Sequence, residues 1–312
     1  MRGFSRKKDR SENKGNSKKN NLLRKKLIAQ AFDCHSKGDF ETAEKYYEKF
    51  FSNGFNDARV YSNLAILFKE TSREIEALDL LAKSIKRYPN NSVSYAIISD
   101  ILRSQGKLKE AHLSIDKAIN IDPDVADYHF NLGLIFIGLR ILSKAVISLK
   151  QAIFIDPKLI EAHLSLFSVQ MDLSNLSEAE LSIKKVIELD PNSSIAHFNL
   201  SRIYIELGKD SEAECSVKKA ISLEPSFPQA YNNLGIILKN LDKPLEAEFS
   251  TRKAIELKDD YVEAYYNLAN ILRFIGKKEE ALECTEKIME IRPWSIIGSF
   301  SLNQKFEIKS SS

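Results

Sequence analysis

Three histidines, His129, His163 and His197, follow one another at intervals of 34 residues, and imidazole is the commonest side-chain ligand for metals in proteins. Ligands of a single zinc ion must each come within about 2.0–2.1 Å of it. If the interval of 34 residues marks a helical repeat, equivalent positions of neighbouring repeats are about 10 Å apart, which is the distance between packed helices. We therefore predict that the three rings pack within their own repeats, and we predict no metal site.

No other motif in the sequence is typical of catalysis. There is no glycine-rich phosphate loop, no HExxH zinc motif and no GxSxG nucleophile motif. Carboxylates such as Glu212 and Glu280 stand near the starts of predicted helices, where they interact favourably with the helix dipole. The sequence predicts a protein that is not an enzyme and that needs no cofactor.

Asparagine recurs at the same interval as histidine, at one position of the period. The members of this row are Asn63, Asn131, Asn199, Asn233 and Asn267, with Ile97 and Ser165 interrupting it. A side-chain amide both donates and accepts hydrogen bonds, so a row of amides can bind the backbone of an extended peptide with little regard for its sequence. The alternative role is a hydrogen bond within each repeat that only stabilises the fold.

The elements that must position these residues are set by a repeat of 34 residues. It is marked by Pro89, Pro123, Pro157, Pro191 and Pro225, and eight repeats start at residues 24, 58, 92, 126, 160, 194, 228 and 262. The twentieth residue of every repeat is alanine and the eighth is usually small, which lets two helices pack closely. The glycines at position 15 (Gly38, Gly106, Gly208 and Gly276) predict a left-handed turn that ends the first helix. The proline at position 32 ends the second.

These features predict helix pairs near 26–37, 41–53, 58–71 and 75–87, and onward at the same step. On them the chain resembles the tetratricopeptide repeat (TPR) family over roughly residues 24–293, most closely at 131–136, 232–238 and 265–272. The resemblance implies an all-α solenoid, a right-handed superhelix of about eight repeats whose first helices line a concave groove. Two repeats depart from the pattern: Phe167 and Gln170 replace the small and the apolar residue in one, and Arg140 replaces glycine in another. We expect less regular packing there.

The resemblance also places the asparagine row on or near the groove, among basic and aromatic residues. These are Lys69, Arg103, Arg202, Lys239 and Arg273, with Phe130, Phe198, Tyr266 and Phe274. Basic groups beside aromatic ones suit a ligand with carboxylates and apolar anchors, and the alternative is ordinary solvated surface. The row is similar to the asparagine ladder in the TPR arm of O-linked N-acetylglucosamine transferases. We expect these amides to face solvent in the free protein.

The predicted function is a non-enzymatic scaffold that binds extended peptide segments of a protein partner in its groove. The alternative is the substrate-recruiting arm, or a shortened relative, of a TPR-linked glycosyltransferase or other transferase. Only 19 residues follow Pro293, whereas a domain needs about 50, so we expect any such activity to belong to a separate chain. No repeat has lysine at its fifth position, so the two-carboxylate clamp of TPR co-chaperones is not expected.

Charge separates a basic start from a mildly acidic body. Residues 1–26 hold eleven Lys and Arg against two Asp and Glu. We predict a basic disordered tail over 1–23 that makes weak contact with polyanions, either nucleic acid or anionic lipid, and a C-terminal cap and tail over 294–312. Three scattered cysteines and the absence of an apolar run of about 20 residues predict a cytoplasmic protein without a transmembrane segment.

Overall fold

The structure, a computed structural model, describes residues 5–292, with side chains described from residue 19 onwards. Over this range it has sixteen helices and no strand, which confirms the predicted all-α solenoid fold. The helices are α1 (Ser5–Ser36), α2 (Phe40–Ser52), α3 (Ala58–Glu70), α4 (Glu74–Arg87), α5 (Ser92–Ser104), α6 (Leu108–Ile121), α7 (Ala126–Gly138), α8 (Leu142–Ile155), α9 (Ile160–Asp172), α10 (Leu176–Leu189), α11 (Ser194–Glu206), α12 (Asp210–Leu223), α13 (Pro228–Asn240), α14 (Pro244–Leu257), α15 (Val262–Phe274) and α16 (Lys278–Ile291).

The chain divides into two compact units, Met1–Ala162 and His163–Ser312, which we call the N-terminal and the C-terminal unit. In each repeat an odd-numbered helix is followed by an even-numbered one. The alanine at the twentieth position is at most 1% exposed in all eight repeats, because it lies where the two helices of the pair cross. No described helix is long and apolar enough to cross a membrane.

The turn between the two helices of a repeat has the same backbone conformation throughout. The four predicted glycines have φ between 65° and 84°, and Ser72, Arg140, Ser174 and Asp242 take the same left-handed region at φ between 57° and 61°. The next amide donates to the carbonyl five residues earlier, for example from Ile141 to Phe136 at 2.9 Å. The repeat that carries Arg140 therefore keeps its turn, at the cost of placing a side chain in a region that favours glycine.

The repeat with Phe167 and Gln170 accommodates both residues in its core. Phe167 is 5% exposed and Gln170 is 2% exposed. The Ser182 hydroxyl donates to Oε1 of Gln170 at 2.8 Å, so the buried amide oxygen has a partner. The less regular packing expected here takes the form of a polar contact between α9 and α10 in place of an apolar one.

The first helix begins earlier than predicted. The sequence predicts it from about residue 26 and predicts a disordered tail over 1–23, whereas α1 begins at Ser5. The segment 5–22 contains no proline, and the half of α1 that packs on the first repeat, from Leu23 onwards, supplies a nucleus. Extending an existing helix costs far less free energy than starting one, which accounts for the difference. The predicted cap over 294–312 lies outside the described residues.

Candidate functional site

The asparagine row lies on the first helices of the repeats, and its five members are half-buried. Their hydrogen bonds differ. Asn63 donates from Nδ2 to the carbonyl of Arg59 on its own helix, at 2.9 Å. Asn199 accepts a long bond of 3.4 Å from Nη1 of Arg202. Asn131 and Asn233 form no side-chain hydrogen bond within the described part of the chain, so their amides are available to a ligand.

Asn267 has a different role from the one expected. Its Nδ2 donates to Oδ1 of Asn232 at 2.9 Å, and Asn232 is only 4% exposed. Tyr261, which precedes α15, is half-buried, and burial raises its pKa. Asn267 is therefore half-buried like the rest of the row, but its amide already has a partner in the free protein. It joins two successive repeats through a part-buried hydrogen bond, which is the kind of contact that the alternative interpretation describes.

The candidate cations of the N-terminal unit are neutralised by one carboxylate. Asp100 on α5 forms ion pairs with Lys69 on α3 and with Arg103 one turn further along α5; the second is 2.6 Å long. Burial of the Asp100 carboxyl would raise its pKa, but the hydrogen bonds and charges of Lys69 and Arg103 outweigh that effect and lower it. Lys69 and Arg103 are therefore committed to an internal partner.

The candidate cations of the C-terminal unit have no carboxylate partner in the described structure. Arg202, Lys239 and Arg273 are all exposed, and none of them forms an ion pair there. The Arg273 guanidinium donates to Oδ1 of Asn270 at 3.2 Å and to the Thr285 hydroxyl at 3.3 Å. Neutral acceptors such as these orient a guanidinium without removing its charge. Three unneutralised cations thus lie on α11, α13 and α15.

Two aromatic residues of the C-terminal unit are available as anchors. Tyr266 is 59% exposed and Phe274 is 61% exposed. Phe198 is half-buried, because its ring packs on Phe227 with centroids 4.8 Å apart. In the N-terminal unit Phe130 is also half-buried. Among the four candidate aromatic residues of the first helices, the two exposed rings therefore both lie on α15.

Two residues outside the predicted set contact the candidate cations, and they determine which of those cations have a carboxylate partner. Asp100 and Asn270 occupy the ninth position of their repeats, three residues before the basic residue at the twelfth. That spacing brings two side chains together on a helix, so the pairing within each helix could have been read from the sequence. The contact between Asp100 and Lys69 joins two successive repeats, so it could not have been read from spacing along one helix.

A second set of ion pairs, also overlooked, joins successive repeats. An acidic residue at position 21 pairs with a basic residue at position 16 of the next repeat. These pairs are Glu44–Arg73 at 2.8 Å, Glu214–Lys243 at 3.1 Å and Glu248–Lys277 at 2.9 Å. The pairs hold neighbouring repeats in register, and they account for charged residues that would otherwise be candidates for a site.

The histidines lie where packing and loop closure explain them. Nε2 of His129 is 2.8 Å from the carbonyl of Pro123, and Nε2 of His197 is 3.1 Å from the carbonyl of Pro191. His163 is 7% exposed. No group of three or more His, Cys, Asp or Glu among the described residues is placed to hold a metal ion.

Comparison with known proteins identifies repeats of one kind. A model described as "TPR repeat" matches residues 100–139, and one described as "Tetratricopeptide repeat" matches residues 183–214, 217–249 and 251–283. No curated protein matches the chain.

Solved structures resemble the fold. YrrB, described as a TPR protein with an unusual peptide-binding site, is 20% identical with a TM-score of 0.54, covering 59% of this chain and 95% of that one. PilF of Pseudomonas aeruginosa is 16% identical with a TM-score of 0.55, covering 65% and 93%. The APC/C hetero-tetramer Cut9-Hcn1 is 16% identical with a TM-score of 0.56, covering 88% and 54%. At these identities the likeness establishes the fold alone.

Proposed function

We propose that this chain, which is a tetratricopeptide-repeat protein, binds an extended and acidic segment of a protein partner across the first helices of its C-terminal unit. Its fold is that of protein–protein interaction scaffolds. The proposed binding face comprises α11, α13 and α15, and binding there involves no catalytic step. The observation that carries the proposal is the set of three exposed cations on this face that have no carboxylate partner among the residues the structure describes.

The amides of the same face support an extended ligand. Asn233 has no side-chain partner among the described residues, and Asn199 has only the long bond to Arg202. Amides that are half-buried and unpaired regain a hydrogen bond when a peptide backbone lies along them. Because a backbone offers the same groups at every residue, this contact selects an extended conformation rather than a sequence.

The cations and rings supply selectivity. An aspartate, a glutamate or a carboxyl terminus can accept hydrogen bonds from Arg202, Lys239 or Arg273, and charge-assisted bonds of this kind are stronger than neutral ones. Tyr266 and Phe274 each offer exposed apolar area on which a side chain of the partner can pack. YrrB, which shares the fold, is described as having a peptide-binding site, and this supports the class of ligand.

Peptide selection followed by a matched pair of variants tests the proposal. Random peptides displayed on phage are selected against the full chain, and synthetic copies are measured by fluorescence anisotropy. Two net hydrogen bonds of about 0.5–1.5 kcal/mol each predict that Asn199→Ala with Asn233→Ala weakens binding by about 5- to 150-fold. Asn63→Ala is the control, because that amide bonds its own helix. Equal affinity for the double variant, or failure to select acidic peptides, overturns the proposal.

A further inference from the structure

Two second helices carry pairs of exposed apolar side chains that the repeats do not use in their own packing. On α8, Ile147 is 68% exposed and Phe154 is 80% exposed. On α16, Leu282 is 61% exposed and Met289 is 47% exposed. The members of each pair are seven residues apart, so they lie on one side of their helix, two turns apart. Because these side chains are grouped and not scattered singly, each pair indicates a contact with another molecule.

The pair on α8 belongs to a wider apolar surface of the N-terminal unit. Leu113 on α6 is 65% exposed and, like Ile147, is the twenty-second residue of its repeat. Both helices pack against α7, so equivalent positions on them are about 10 Å apart. That spacing is about the width of one helix, so the surface suits a helix of the partner.

The surroundings of the pair on α8 are basic. Alone among the second helices of the described repeats, α8 contains no Asp or Glu, and it contains two lysines. One of them, Lys144, is exposed, lies one turn before Ile147 and forms no ion pair with any described residue. We call Lys144, Ile147, Gln151 and Phe154 the α8 face. It combines apolar area with positive charge.

The surroundings of the pair on α16 are acidic. This helix contains five glutamates and two lysines. Glu279 and Glu286 are exposed and form no ion pair within the described part of the chain, and each lies one turn before one of the apolar residues. We call Glu279, Leu282, Glu286 and Met289 the α16 face. It repeats the spacing of the α8 face with the opposite charge.

We infer that the α8 face of one copy of this chain binds the α16 face of a second copy. When two helices pack side by side along these faces, the apolar pairs of both leave water. Lys144 then has Glu279 and Glu286 as partners for charge-assisted hydrogen bonds. Two α8 faces would bring lysines together and two α16 faces would bring glutamates together, so the charges select the mixed contact.

The contact joins two different faces, so it is heterologous, and each copy carries one face of each kind. Contacts of this type either close into a dimer or ring or continue as an open chain. Each helix has 14 residues and is about 21 Å long, which places one such contact at the small end of the range of protein interfaces. We therefore expect weak self-association, with a Kd on the order of 10–100 µM.

Sedimentation velocity of the full chain between about 5 and 200 µM tests this inference. The first variant, Lys144→Glu with Gln151→Glu, makes the α8 face acidic. The second, Glu279→Lys with Glu286→Lys, makes the α16 face basic. We expect each variant alone to associate at least about tenfold more weakly than the wild type, because each brings like charges together. Mixed in equal amounts, the two should associate again, because each supplies the face that the other lacks.

A matched pair of variants tests the apolar part of the contact. Phe154→Ser removes the exposed ring of the α8 face. Phe249→Ser removes a ring from α14 that is similarly exposed, at 73%. We expect only Phe154→Ser to weaken self-association, by about tenfold to a hundredfold, which corresponds to the burial of one large apolar side chain.

Three results would overturn the inference. A chain that stays monomeric over the whole concentration range would mean that the two faces do not bind each other. Equal losses in the two phenylalanine variants would mean that apolar association is unspecific. A mixture of the two charge variants that stays monomeric would exclude the pairing of the faces; the mixture also controls for folding, because a misfolded variant cannot restore association. Peptide affinity, measured on the same variants, tests the proposed function separately.

Discussion

In both compact units the twelfth residue of two repeats is basic: Lys69 and Arg103 in the N-terminal unit, Lys239 and Arg273 in the C-terminal unit. The surroundings of these cations differ at the ninth position. Asp100 occupies it in the N-terminal unit and pairs with both cations there. In the C-terminal unit the ninth position is Ser168, Arg202, Ile236 or Asn270, none of which is acidic. A single carboxylate, Asp100, therefore accounts for the difference, because it neutralises the twelfth-position cations of two successive repeats.

The difference has a clear consequence for an acidic ligand. A carboxylate that approached Lys69 or Arg103 would meet the negative charge of Asp100 and would have to displace it. At Arg273 it would displace only neutral acceptors, Asn270 and Thr285, at distances of 3.2 and 3.3 Å. The same twelfth-position cation thus stabilises the fold in one unit and is available for binding in the other.

Replacing the candidate cations of one unit at a time should give the largest effect, which is a loss of peptide affinity in one unit only. We expect Arg202→Gln, Lys239→Gln and Arg273→Gln together to weaken binding of a selected acidic peptide by about a hundredfold or more, at about 1 kcal/mol for each exposed charge-assisted contact. Fluorescence anisotropy measures the loss. The matched variant, Lys69→Gln with Arg103→Gln, should keep its affinity. Similar losses in both variants would remove the distinction between the units.

The eighth position offers a comparison of packing between the same units. A Cβ added to Gly235 would meet the Thr251 hydroxyl oxygen and would lie 3.2 Å from the backbone oxygen of Ala247. At Gly133 it would meet only side-chain atoms of Leu149 closely, at 2.8 Å. A backbone oxygen cannot move aside as a leucine can. We expect Gly235→Ala to lower the free energy of unfolding by about 1–3 kcal/mol and Gly133→Ala by less, as measured by urea denaturation. The reverse order would contradict this assignment.

Neutralising Asp100 in the N-terminal unit should lower the free energy of unfolding by a smaller amount, and that amount should depend on pH. The pKa of Asp100 is lower in the folded protein, so its ion pairs stabilise the fold above the unfolded value of about 3.9 and are lost as pH falls through the folded value. Asp100→Asn should therefore lower the free energy of unfolding by about 1 kcal/mol at neutral pH. Urea denaturation should show that the free energies of unfolding of wild type and Asp100→Asn become more similar at acidic pH. A difference that persists at low pH would mean that Asp100 acts by packing and not by charge.

The repeat itself could be predicted from the sequence, because a period of 34 residues with fixed alanine and proline positions determines where helices pair and end. Helices α2, α3 and α4 begin and end within one residue of the predicted ranges. The availability of the site residues could not be predicted in full. The partner of Asn267 is 35 residues away and that of Lys69 is 31 residues away, so both contacts depend on how successive repeats are stacked.

The start of α1 escaped prediction for another reason. Its first half is polar and charged, a composition that disordered segments share, and no apolar period marks it as helical. Its helical state depends on the packed half that follows, which a reading of local composition does not take into account.

The smallest expected change in the free energy of unfolding concerns the turns within the repeats, where the two units should behave alike. Arg140 in the N-terminal unit and Asp242 in the C-terminal unit both hold positive φ, at 60° and 57°. Glycine removes the steric cost of that region, but it also gives the unfolded chain more freedom, so the net gain is small. We expect Arg140→Gly to raise the free energy of unfolding by about 0.5–1 kcal/mol, and Asp242→Gly by a few tenths, since aspartate tolerates this region better than arginine.

Thermal denaturation of both variants measures the gains, with Gly208→Ala as the control that should lose stability because it reverses the change at a native glycine. Gains in both units would show that they share one backbone design and differ in side-chain charge. A loss in Arg140→Gly would instead mean that the arginine side chain stabilises its repeat through contacts worth more than the strain it causes.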